Sequence, residues 1–157
     1  MRTVMAMYAA ALLVVGACGS TVEGIAENVI ADEFGGTVDI EGDAYTVTDD
    51  TGTMQISREV PSGLSIPLLN GGTVVSAMER RAADQVSYLV ELRYPVERYD
   101  HLVRFYEAYV AGLDEPVTQT TTDDSLTTTW LTDTEPRTAV EVTLDLNGVR
   151  LILGEGV

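Results

Sequence analysis

Hydrophobic and polar positions along this chain change period several times. Residues 4–15 are almost wholly apolar and follow Met1-Arg2. Val22, Ile25, Ala26, Val29, Ile30 and Phe34 then fall at helical spacing, with Glu23, Glu27, Asp32 and Glu33 on the opposite side. Ser20-Thr21-Val22-Glu23 reads as a capping box and Gly35-Gly36 as a stop, so the spacing predicts a helix over about 22–34.

Alternation follows. Val38 with Ile40, Tyr45 with Val47, and Met54 with Ile56 predict three short strands. Glu41-Gly42-Asp43 and Asp49-Asp50-Thr51-Gly52 are the turns between them. Pro61, Gly63 and Pro67 break the pattern and predict a loop over about 58–72. Two more strands are expected at 73–78 and 86–92, joined by a polar tip at Glu79-Arg80-Arg81. Val96, Tyr99, Leu102, Val103, Tyr106, Tyr109, Val110 and Leu113 share one face of a helix predicted over about 96–113. Tyr106 and Val103 lie mid-stripe and should be buried. The remaining chain alternates again at 117–121, 126–132, 139–145 and 149–153, with Asn147-Gly148 as the last hairpin turn. Its dense threonine suits strands with one wet face. Many hairpins and few helical crossovers imply an α+β fold, a largely antiparallel sheet packed by two amphipathic helices.

The first apolar run is about a dozen residues, short of the roughly 20 that span a bilayer. Small residues and a turn-prone Gly19-Ser20 follow it, without a basic stop-transfer cluster. Val15-Gly16-Ala17-Cys18 resembles the lipobox of a bacterial lipoprotein signal peptide. That resemblance implies cleavage before Cys18, lipidation of its thiol, and a lipid anchor on the extracytoplasmic face of the cell membrane. The expected organisation is a signal peptide at 1–17, lipidated cysteine and tether at 18–22, and a single α+β domain at 23–157. An ordinary secretory peptide is the competing reading. Cys18 is the only cysteine, and a thiol without a partner is otherwise unexpected in an exported protein. Residues 19–22 would reach about 14 Å when extended, which keeps the domain close to the bilayer.

A second pattern lies further on. Ile66-Pro67-Leu68-Leu69-Asn70-Gly71-Gly72-Thr73-Val74-Val75, then Val103-Arg104-Phe105-Tyr106-Glu107, then Trp130, is similar to small uncharacterised cell-surface lipoproteins of actinobacteria. The likeness covers about 57–153. The usual glycine-tryptophan step after the helix is replaced by Ala111-Gly112-Leu113-Asp114. The family implies no activity.

Charge removes several partners. The chain carries 25 acidic residues against 9 basic ones, a net charge of −16, and every basic residue is arginine. Nucleic-acid binding needs a basic footprint that is missing here. Attraction to anionic lipid is excluded for the same reason, so the anchor must act alone.

Candidate chemistry is sparse. His101, the only histidine, lies about 200° round the helix from Tyr99 and faces solvent. No G-x-S-x-G elbow is present. Zinc draws ligands mainly from Cys and His, which this chain lacks in number. Asp49, Asp50, Asp123 and Asp124 are calcium candidates in turns, although neither pair follows the twelve-residue loop, and turn chemistry alone favours aspartate there. Tyr88, Tyr94, Tyr99, Tyr106, Tyr109 and Trp130 would line either a sugar-binding face or the core. The core is the simpler reading, with Tyr94-Pro95 the best candidate for exposure. No cofactor is expected. The sequence favours a non-enzymatic, lipid-anchored binding or accessory module whose partner is an envelope protein or polymer. A carboxylate-based hydrolase and a calcium-dependent envelope-binding module are the alternatives, and the oligomeric state stays open.

Overall fold

The computed structural model describes residues 36–122, 126–133 and 136–156. Nine strands form one sheet: β1 (Thr37–Glu41), β2 (Ala44–Asp49), β3 (Gly52–Ser57), β4 (Thr73–Ala82), β5 (Gln85–Tyr94), β6 (Val117–Thr122), β7 (Thr127–Thr132), β8 (Thr138–Asp145) and β9 (Gly148–Glu155). The spatial order is β1-β2-β3-β4-β5-β9-β8-β7-β6. Every neighbouring pair is antiparallel. Two meanders, β1 to β5 and β6 to β9, are therefore joined edge to edge where β5 meets β9. A 3₁₀ turn (Val96–Arg98) and helix α1 (Tyr99–Val110) link the two halves.

Successive side chains on a strand point to opposite faces, so the register sorts the whole sheet. One rung runs Ala77, Val90, Leu153, Val140 and Trp130. The next runs Leu92, Leu151, Val142 and Thr128. These residues are buried, and they pack with Leu102, Tyr106 and Val110 of α1. This is the helix face. Burying each large aliphatic there contributes roughly 1.5–3 kcal/mol. The loop over 58–72 extends the cover, with Ile66 in the core and Leu64, Leu68 and Leu69 packed against it.

The opposite, far face begins with a second apolar patch. Its rungs are Ile40, Tyr45, Ile56, Met78 and Leu89, and beside them Val38, Val47 and Met54.

Three expectations need correction. The β4–β5 turn lies at Ala83-Asp84, because both strands run on past Glu79-Arg80-Arg81. The helix is shorter than 96–113: Val96 belongs to the 3₁₀ turn and is 57% exposed. Beyond Val110 the chain tightens, with the Gly112 and Leu113 amides donating to the Tyr109 and Val110 carbonyls. Val103 is half-buried rather than buried, since the stripe centres on Leu102, Tyr106 and Val110. The helix expected over 22–34 lies outside the described residues.

Candidate functional site

Three features stand out as candidate sites: the loop over 58–72, the charged half of the far face, and the β6 edge of the sheet, which is free among the described residues.

The loop is tied to the helix face by tyrosine hydroxyls. Tyr94 Oη donates to the Leu69 carbonyl at 2.6 Å, and Tyr106 Oη to the Pro67 carbonyl at 3.1 Å. Glu155 accepts from the Ser65 amide at 2.7 Å and from its hydroxyl at 2.6 Å, across 90 residues of sequence. Gly72 lies flat on the Tyr94 ring, where a Cβ would collide. The Pro-Leu-x-x-Gly segment is thus a strap, and its residues serve the fold. Burial drives the Tyr106 phenol well above its ordinary range, and it raises those of Tyr94 and Tyr109 as well. Tyr94 is 3% exposed, which overturns its reading as a surface aromatic. Alternation from Tyr88 through Val90 and Leu92 already placed it on the buried face; the following proline hid that signal. Trp130 is equally buried, so neither ring lines a sugar-binding surface.

On the far face, β5, β9 and β8 bring charges together. Arg93 pairs with Asp145 through Nη1 and with Glu91 at 3.8 Å. Arg150 pairs with Glu141 at 3.1 Å, and the Thr143 hydroxyl donates to the same carboxylate at 3.2 Å. The hydrogen bond from Arg93, helped by the Asn147 amide, holds the Asp145 carboxyl below the usual carboxylate range. That shift favours the ionised form of Asp145. A general acid needs the opposite shift.

Of the calcium candidates, Asp49 is engaged in its own turn. Its Oδ1 accepts from the Thr51 amide, the Thr51 hydroxyl and the Gly52 amide at 2.7, 2.6 and 2.9 Å. These bonds lower its pKa, the hydroxyl most. Asp50 sits in the turn beside it. Asp123 and Asp124 lie outside the described residues, as do Val15, Gly16, Ala17 and Cys18. Among the described residues, no cluster of three or more His, Cys, Asp or Glu is placed to hold a metal. His101 is exposed on α1, on the side away from the sheet.

The free edge was not singled out by sequence reasoning. Among the described residues, β6 (Val-Thr-Gln-Thr-Thr-Thr) ends the sheet, and five of its six residues are exposed. It carries neither charge nor proline, two devices that usually blunt an edge strand. The opposite edge, β1, carries Asp39 and Glu41. The signal was available in the uncharged run itself, but nothing local marks a strand as outermost.

Comparison with protein-family models, with curated proteins and with solved structures finds no match to this chain. Among the described residues, no helix is long and apolar enough to cross a membrane.

Proposed function

We propose that this protein is a lipid-anchored, non-enzymatic binding module at the cell envelope, and that β6 is the edge it offers to an extended segment of a partner protein. The observation that carries the binding surface is the unblunted β6 edge. An edge strand presents a row of main-chain donors and acceptors that an incoming strand completes. The threonines on either side of β6 supply a wet surface that tolerates varied side chains opposite. The lipobox-like Val15-Gly16-Ala17-Cys18 supports the anchor, and the pairing of Asp145 and Glu141 with arginines on the far face favours binding over carboxylate catalysis.

The test uses the full chain in its native membrane. Wild type should fractionate with membranes and Cys18→Ser should not; equal retention of both removes the anchor. For the edge, Thr118→Lys/Thr120→Lys adds the charges that natural edges use as guards. A partner co-purified with wild type should be lost from this variant while its melting temperature stays close to wild type. Unchanged co-purification would move the binding surface elsewhere.

A further inference from the structure

Charge is distributed unevenly across the sheet, and β6 lies at its acidic end. Between Arg104 and Arg137 the sequence holds seven acidic residues and no basic one. The arginines carried by strands are on β4, β5 and β9, at least three strands from β6. Three strand spacings are about 14 Å, beyond a screening length of about 8 Å at physiological salt. Arg137 enters β8, two strands in from the edge, with its carbonyl bonded to the Gly156 amide. Register puts Thr118, Thr120 and Thr122 on the far face, and Val117, Gln119 and Thr121 on the helix face. At the start of β6 the two faces differ in chemistry. On the far face, Asp133 accepts from the Thr118 hydroxyl at 2.9 Å. Among the described residues no arginine pairs with that carboxylate. On the helix face, Val117 is half-buried and packs against the core.

We propose that the segment completing the β6 edge belongs to a different protein, runs antiparallel to β6, and carries a lysine or arginine opposite Thr118 directly followed by an apolar residue opposite Val117. This rests on the reading of β6 as the binding edge. Direction follows from the sheet, in which every neighbouring pair is antiparallel, the more stable ladder. Running antiparallel, the partner residue opposite Thr118 comes immediately before the one opposite Val117. Side chains directly opposite across a ladder lie about 5 Å apart at Cβ, so a long basic side chain there reaches the Asp133 carboxylate beside the Thr118 hydroxyl. The next residue points to the other face, where an apolar side chain extends the packing of Val117. Main-chain bonds supply affinity in such an addition, and these two positions supply the choice of partner. The surrounding negative field draws a basic segment in and opposes an acidic one. It also opposes a second copy of this chain, which brings its own net charge of −16 and the same acidic edge.

The test pans a random octapeptide display library against the full chain. Lys or Arg followed at once by Val, Ile, Leu or Phe should be enriched at least threefold over its frequency in the library. Asp133→Asn keeps an acceptor for Thr118 and removes the charge. It should abolish the basic preference and leave the apolar one, whereas Asp39→Asn on the opposite edge should change neither. Equal loss in both variants, or no loss in either, overturns the proposal, because the preference would then come from overall charge or from another site. Enrichment of neutral or acidic sequences overturns it too. The edge itself is tested separately by Gln119→Pro and Thr120→Pro. Backbone groups of successive strand residues point to alternate sides, so one of the two amides faces outward, and proline there leaves the ladder to β7 intact. The variant that keeps its melting temperature should lose all enrichment. If it binds as wild type does, or if wild type enriches nothing, β6 is not the binding edge and both readings fall. Loss of binding in that variant together with neutral wild-type sequences keeps the edge and overturns only the basic partner. A concentration-dependent dimer in sedimentation, lost in the same variant, would make a second copy the occupant and overturn the proposal.

Discussion

Tyr106 shows how one side chain serves packing and loop closure together. It is fully buried, its ring packs edge-on against Phe105 at 5.0 Å, and its hydroxyl holds the Pro67 carbonyl. Tyr106→Phe keeps the ring and loses the hydrogen bond, a cost of about 1 kcal/mol. Tyr106→Ala should cost about 3–5 kcal/mol. His101→Ala, on the exposed side of the same helix, should stay within about 0.5 kcal/mol. Urea denaturation of the three variants checks the order. The buried phenols also set a pH dependence. Burial raises the pKa of Tyr45, Tyr94, Tyr106 and Tyr109 in the folded chain. Below about pH 10 these phenols are protonated in both states and contribute no slope. Above it the unfolded chain ionises first, so stability falls as pH rises. Tyrosinate absorbance should therefore appear together with loss of circular dichroism. At this scale the sequence disclosed which face of the helix is buried. It concealed the partners of the hydroxyls, because the carbonyls they reach lie 25 and 39 residues away.

At the scale of elements, most strands are legible from alternation, since they have a more buried and a wetter side, whereas β6 is marked only by its threonine-rich β propensity. The β4–β5 turn is not legible. Ala82 pairs with Gln85, which leaves a two-residue loop at Ala83-Asp84. Ala83 takes φ 51, a left-handed conformation that glycine adopts more readily. Neither residue announces such a turn, whereas Glu79-Arg80-Arg81 looks like a polar tip. Positive φ at the first central position is where a II′-type hairpin ordinarily has glycine. Ala83→Gly should accordingly stabilise the hairpin, by up to about 1 kcal/mol, read as a raised denaturation midpoint. The strap is the other element that local pattern could not place. Its prolines and glycines predicted a loop, but its docking depends on Glu155, 90 residues along the chain from Ser65. Glu155→Ala should speed amide exchange over 58–72 more than in β8 or β9.

For the molecule as a whole, net charge and topology dominate. With 25 acids against 9 bases, compact packing concentrates negative charge. Raising ionic strength from 0.01 M to 0.15 M shortens the screening length from about 30 Å to about 8 Å. Relief of self-repulsion should outweigh weakening of exposed ion pairs, which contribute little each. Melting temperature should rise across that range; a fall would mean that the arginine pairs dominate. The order of strands is the part that sequence left hidden, because hairpin signals report only adjacent pairs and say nothing about which meander edges meet. They meet at β9. β9 is one of the most central strands, with Val149, Leu151 and Leu153 fully buried between β5 and β8. Neither meander can close onto the other until β9 is in place. A chain emerging N-terminus first therefore has no joined core until β9 has followed all the other strands out. Its assembly is timed by the arrival of that one strand, which both halves share.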